Sequence, residues 1–353
     1  MSEMKEMIVK VVEKIFKDKV DKEKVDLIEQ GKWSEDVWQV LLDNEMLGVA
    51  VSEKQGGAGG DLDDLLNLYR LVGKYAVPIP FVETTFANLL LENAGLDITA
   101  GKATYAIEEQ PSLTVENGTV SGTIENVAWA RYVDVLVAVA KGSSGLEIVQ
   151  VSLKDAVIAP NTNLASEPRD QVTLINVPVQ KQSKITNEQF DYSISLDAAA
   201  RAALMAGAIE KAYLLTVQFT KEREQFGRQI HRFQLVQQHL ANLAGEAVIT
   251  SSAIDNMIAA ILGNRLENEV GYTRIRVEEA AKTVAAIAHQ VHAAIGVTHE
   301  HSLHHYTRRL WSWRDEGTGE AYWSQQMANR LMEVNEDDLW SYLTSFSRSL
   351  SVR

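Results

Sequence analysis

All eight histidines fall between residues 231 and 305, and four of them lie in HEHSLHHY (299–306). His301 shares a helix face with His304 or His305, a spacing that suits a metal ion, and Glu300 is adjacent. No second carboxylate or histidine cluster completes such a site, so no metal is expected. Further on, Asp315 and Glu316 set two carboxylates ahead of Gly317 and Thr318, with Trp311, Trp313 and Trp323 close by. Taken by themselves these residues read as a helix end, Gly317 a C-cap and Thr318 an N-cap. The tryptophans either wall a cavity or pack between helices. Arg223 has a planar fork that suits phosphate, and Gly227 lets backbone come close to it. Its plainer reading is the solvated Lys-Glu-Arg-Glu end of a helix. There is no cysteine, which excludes disulfides, thiolate catalysis and Cys-ligated zinc. The four glycines in 56–60 are not a dinucleotide fingerprint, since no strand precedes them.

The elements that must hold these residues change character twice along the chain. Residues 1–98 read as helices: Met7, Ile8, Val11, Val12, Ile15 and Phe16 keep helical spacing, and Ser34 is a plausible N-cap before Glu35 and Asp36. Gly56–Gly60 breaks the pattern, helical spacing returns over Leu62–Tyr75, and Glu83–Ala94 follows Pro78 and Pro80. Residues 99–192 read as a β domain. Asn117-Gly118 turns a hairpin, and 133–140, 146–153 and 171–179 are strand candidates. From 193 to 353 no proline occurs, and periodic segments over 197–222, 232–263, 266–294 and 318–349 give a four-helix bundle. The 353 residues are 46% apolar and 23% charged, as in an ordinary globular protein. The net charge of −14 weighs against nucleic acid as a partner. No apolar run is long enough for membrane insertion, and the acidic start is not a signal peptide, so a cytoplasmic protein is expected.

Residues 220–238 resemble the acyl-CoA dehydrogenase signature R-x-x-F-G-x-x-I-x-x-F-Q-x-x-Q, matched by Arg223, Phe226, Gly227, Ile230, Phe233, Gln234 and Gln237. QVHAAIGVTHEH (290–301) resembles the family's Q-x-x-G-G-x-G-Y-T-x-E, with Ala293 and Ala294 for two glycines. Glu316-Gly317-Thr318 is similar to its E-G-T, and LGVAVSEKQGGAGGDLDD to its N-terminal L-G-x-x-x-P-E-x-x-G-G-x-G. The resemblance spans essentially the whole chain and implies an α+β architecture: N-terminal helical domain, middle β-sandwich or barrel, C-terminal four-helix bundle.

It also implies FAD-dependent α,β-dehydrogenation of an acyl-CoA thioester, with Glu316 as the base in a dry site of raised pKa, or Asp315 in its place. Arg223, Phe226, Gln290 and Gly296 would contact FAD, Arg223 across a subunit interface. The middle segment departs from the pattern. GTIENVAWARYVD (122–134) has Ile124, Asn126 and Ala128 where the family carries Lys, an aromatic residue and the flavin-side Thr, and Trp129 is a stacking candidate or simply core. The groups that would hold the chain's own flavin are depleted while Arg223 is kept. This implies a homo-oligomer or a hetero-oligomer with a second acyl-CoA dehydrogenase subunit, electron-transfer flavoprotein being the acceptor. The alternative is a non-catalytic structural partner of an active subunit.

Overall fold

The computed structural model describes residues 3–262 and 266–343. Five helices come first: α1 (Glu3–Lys19), α2 (Lys22–Glu29), α3 (Glu35–Asp43), α4 (Leu62–Tyr75) and α5 (Phe81–Asn93). Their starts follow local chemistry. Asp21 caps α2 by accepting from the Lys24 N–H at 2.8 Å, and Asp61 and Asp64 form a reciprocal capping box on α4. Ser34 occupies the N-cap position of α3 but makes no side-chain cap bond.

Seven strands follow: β1 (Ala103–Ala106), β2 (Leu113–Glu116), β3 (Thr119–Ala128), β4 (Val135–Gly142), β5 (Gly145–Ser152), β6 (Val157–Ala159) and β7 (Arg169–Lys184). Asn117 and Gly118, at φ 50° and 76°, turn β2 into β3 as expected of an Asn-Gly pair. The hydrogen-bonded order β1-β4-β2-β3-β7-β5 returns on itself through a β4–β5 pairing, so the sheet closes into a barrel around Leu113, Ile124, Leu136, Val149 and Val172.

The last barrel strand ends at Lys184 and α6 (Asn187–Glu222) starts ahead of residue 193, set by a Thr186/Gln189 capping box. A two-residue-stranded hairpin, β8 (Glu224–Gln225) and β9 (Arg228–Gln229), precedes α7 (Gln234–Leu262), α8 (Leu266–His292), α9 (Leu303–Arg314) and α10 (Glu320–Met332). Helix α6 is the axis of the molecule, packed on α4, α7, α8 and α9. Two glycines make the α4–α6 crossing: a Cβ on Gly73 would lie 1.9 Å from the Leu204 carbonyl oxygen, and one on Gly207 1.9 Å from that of Arg70.

Two elements differ from expectation. The 318–349 segment is not one helix. It breaks after Met332 and restarts at a short turn, Glu336–Asp338, capped by Asn335. Glu333 and the acids that follow oppose the C-terminal end of a helix dipole; residues from 344 on lie outside the described part. Helix α9 was not among the periodic segments, because its buried face carries His304, His305 and Arg309 in place of apolar residues.

Candidate functional site

A cavity of about 980 Å³ opens where α5, α6, the barrel and the α9–α10 loop meet. Glu316 lines it, but not as an unpaired base. Its Oε1 accepts from Arg169 Nε and Asn163 Nδ2, and its Oε2 from Arg169 Nη2 and Arg201 Nη1, all at 2.9 Å. Burial alone would push its carboxyl up. The two guanidiniums and the bonds from Arg169 and Asn163 outweigh burial and hold it below the ordinary carboxylate value. The raised pKa expected of Glu316 is therefore not what its surroundings produce. Asp315 is exposed and paired with Arg314 at 2.8 Å.

The clamp is assembled from three parts of the chain. Asn163 and Arg169 come from the barrel, Arg201 from mid-α6, and Glu316 from the loop after α9. Gly317, at φ 66°, is needed there. A Cβ on it would lie 2.7 Å from both Arg201 Nε and Asp197 Oδ2, so only glycine lets the loop close over that pair. Buried Arg274 on α8 fixes the loop from below, its Nη2 donating to the carbonyls of Trp313, Arg314 and Glu316 at 3.0–3.1 Å. Burial presses this guanidinium down to about 10, against the opposing charge of Glu278. Thr318 does not cap α10 as expected. The N-cap position falls on Gly319, and Glu278 Oε2 accepts the Glu320 N–H at 3.0 Å instead.

Around the clamp the remaining acids are paired too. Glu167 accepts from Arg309 Nε and Trp313 Nε1, both at 2.9 Å, and Asp197 from Arg201 Nε at 2.9 Å. Glu83, on the first turn of α5, is the exception. It faces the cavity, and burial raises its carboxyl to about 7, Arg169 and Arg201 opposing from a distance. Eight acidic side chains line the cavity against three arginines, so it is electronegative. Trp129, Trp311 and Trp313 line it, whereas Trp323 packs in the bundle core. Arg169, Arg201 and Glu83 escaped the motif-based reading. Their sequence signal is weak: Glu83 and Arg201 are single charges inside apolar or alanine-rich stretches, Arg169 sits in the polar run Ser166-Glu167-Pro168-Arg169-Asp170-Gln171, and Asp197 and Arg201 keep helical i,i+4 spacing.

The other expected site residues lie elsewhere. Arg223 ends α6 and is exposed, and Phe226, 92% exposed, forms with Gly227 the tip of the β8–β9 hairpin, both at positive φ. Gln290 is exposed near the end of α8, and Gly296 is buried just after it, against His289, His292 and Leu303. The two groups share one end of the bundle, since Phe219, a turn before Arg223, stacks on His292 at 4.3 Å. None of the four lines the cavity.

Of the histidines, His304 and His305 gather with Asp26 of α2, candidate ligand atoms within 4.8 Å of one another. His305 Nε2 is 2.9 Å from Asp26 Oδ1, and Lys22 holds the other carboxylate oxygen at 2.6 Å. Burial lowers His305 to about 3, helped by Arg309, and His304 to about 4. The pair is thus a neutral imidazole against a carboxylate already held by lysine.

A family model described as the acyl-CoA dehydrogenase C-terminal domain matches residues 190–324, and one described as the N-terminal domain matches residues 2–96. The chain is 28% identical to acyl-CoA dehydrogenase IpdE2 of Mycobacterium tuberculosis, over 78% of this chain and 80% of that protein. Its fold is that of the ChsE4–ChsE5 complex from Mycobacterium tuberculosis, TM-score 0.85 at 19% identity, covering 95% of this chain and 99% of that one. The Tcur3481–Tcur3483 steroid ACAD superposes with TM-score 0.84 at 22% identity, over 94% and 98% of the two chains.

Proposed function

Given that the chain belongs to the acyl-CoA dehydrogenase family and is an oxidoreductase of that type, we propose that it works as one subunit of a mixed assembly. That assembly carries out flavin-dependent α,β-dehydrogenation of an acyl-CoA thioester. The observation that carries this reading is the separation of two half-sites. The hairpin with Arg223 and Phe226 projects into solvent away from the chain's own cavity. An almost fully exposed phenylalanine, held in the left-handed region at a hairpin tip, is costly to leave in water unless a neighbouring subunit covers it.

The residues at hand suit FAD unequally. Arg223, an exposed guanidinium, is fit for a pyrophosphate, with Phe226 and the Gln290–Gly296 end of α8 beside it. The cavity, with its acid excess, repels phosphate and suits a neutral ring or an acyl group. When bound, FAD supplies the two-electron acceptor for the β-hydride. This chain's part is to hold the phosphates through Arg223 and to seat the acyl group in a pocket whose tryptophans exclude water. Both neighbours of known structure named above are named as pairs, and one is called a steroid ACAD. A polycyclic or similarly bulky acyl group fits a cavity of about 980 Å³. Electron-transfer flavoprotein is the proposed acceptor. Among the described residues no helix is long and apolar enough to cross a membrane.

One observation favours a second reading, the non-catalytic partner. Glu316, in the position of the family's base, is bound by two arginines and kept ionised. In the clamped state it positions Arg169 and Arg201, and acting as a base requires it to leave them. The test is flavin stoichiometry after co-expression with a second acyl-CoA dehydrogenase subunit. Flavin retained by the mixed assembly and lost by either chain alone supports the shared site. Full flavin on this chain alone refutes it.

A further inference from the structure

Resting on the acyl-CoA reading, we propose that Glu83 is a specificity determinant: a neutral carboxylic acid at the cavity floor that hydrogen-bonds an oxygen, hydroxyl or ketone, on the acyl group far from its thioester. Three observations meet at this residue. The first is position. Glu83 faces the cavity beside Val72, Val77, Ile79, Val82 and Leu204, all buried, whereas Glu109, Glu125 and Asp315 on the lining are exposed. The buried part of the lining, the floor, thus combines these apolar side chains with the paired charges of Glu167, Arg169 and Asp197, and the mouth is acidic. CoA carries phosphates and stays at or beyond the mouth, so the acyl tail is what reaches Glu83.

The second is the charge inventory. The buried cluster contains Arg169, Arg201 and Arg309, matched by Glu167, Asp197 and Glu316 in direct bonds. Glu83 is the fourth acid and meets no cation directly. Among the described residues its carboxyl meets no other side chain in a hydrogen bond or ion pair; its only hydrogen bond comes from its own backbone N–H. The third is the effect of that isolation, which raises the carboxyl to about 7 through burial and keeps a proton on it at the acid side of neutrality. A lone acid beside a hydrocarbon tail leaves a buried donor unmade, which costs binding. An oxygen on the tail supplies the acceptor. A carboxylate on the tail is a poorer fit, because the arginines that would receive it are already engaged.

The test uses the assembled enzyme and a ladder of straight-chain acyl-CoAs from butyryl to dodecanoyl, each with its ω-hydroxy counterpart, measured by calorimetry. In the wild type the hydroxylated member is expected to bind at least about tenfold tighter at the length that reaches the floor. Glu83→Leu should reverse that preference, while Glu83→Gln, which can still donate, keeps it. An infrared titration of the wild type and Glu83→Gln provides a readout independent of ligand. A protonated carboxyl band present in the wild type on the acid side of neutrality should be missing from the variant. An unchanged hydroxyl preference in Glu83→Leu, or identical infrared spectra, overturns the role of Glu83 and leaves the family reading intact. Failure of the wild type to bind any member of the ladder overturns this inference, whereas the acyl-CoA reading, which admits a bulkier acyl group, is refuted separately by the flavin-stoichiometry test above.

Discussion

Replacing Glu316 by glutamine separates a clamped carboxylate from a poised base. A poised base in a dry pocket contributes little to stability, because its ionised form is destabilised by its surroundings. A clamped one contributes a great deal. Glu316 accepts four hydrogen bonds, three from guanidiniums, and its partners come from the barrel and from α6. In Glu316→Gln the side chain keeps its shape, but one oxygen becomes an amide that turns its own donor toward Arg169 or Arg201. Removing one partner of a buried pair costs about 3–5 kcal/mol, most of it from the charge left behind. Arg201 retains Asp197 and Arg169 retains Glu167, so the lower end, about 3 kcal/mol, is expected. Urea denaturation near neutral pH measures it as a lower midpoint at constant slope. The pH dependence has a definite sign. A carboxyl whose folded pKa is depressed adds stability that is present above its unfolded value and lost as pH falls through the folded one. The gap between wild type and Glu316→Gln should therefore close as the solution is acidified below the ordinary glutamate value of 4.5. A neutral-pH difference under about 1 kcal/mol, the size of a surface ion pair, refutes the clamp as a stabilising element. It would return Glu316 to the role of a free base.

Glu83→Gln should behave in the opposite sense. The folded carboxyl is raised from 4.5 to about 7, so the wild type loses on the order of 3 kcal/mol between those values as pH rises. The variant should be the more stable protein on the alkaline side, and coincident denaturation curves there would contradict the raised pKa. Arg223→Ala should lower flavin content in the mixed assembly by about 1.5–3 kcal/mol of binding without changing the melting temperature, and unchanged flavin affinity removes the phosphate role. Gly207→Ala forces a Cβ against the Arg70 carbonyl. The expected cost is about 1–3 kcal/mol, the range for overpacking a core, and a neutral effect in thermal denaturation would mean that α4 moves aside freely.

Much of the fold is legible in the chain because its causes are local. Asn117-Gly118 dictates a hairpin through its φ values, Leu62–Tyr75 shows its helix by spacing, and the long proline-free stretch reads as a bundle. The motif positions Arg223, Phe226, Gln290, Gly296 and Glu316 are also found in the sequence. Their spacing says nothing of which cavity each one faces. Whether Glu316 is a free carboxylate or a clamped one depends on Arg169, 147 residues earlier, and Arg201, 115 earlier. Neither arginine carries a local signal that points to this site: Arg169 sits among Glu167, Asp170 and Gln171, and Arg201 is a lone cation in an alanine-rich stretch. Glu83 is the same case reversed: in Pro80-Phe81-Val82-Glu83 it looks like an ordinary acid in the first turn of a helix, favourable to the dipole. Only the packing of α5 against the barrel and α6 puts it where water is scarce and every arginine is taken. Periodicity, capping and turn chemistry act over a few residues, so sequence alone determines the elements. Desolvation and charge pairing act through space, so the protonation and function of the buried carboxylates were decided by the tertiary structure.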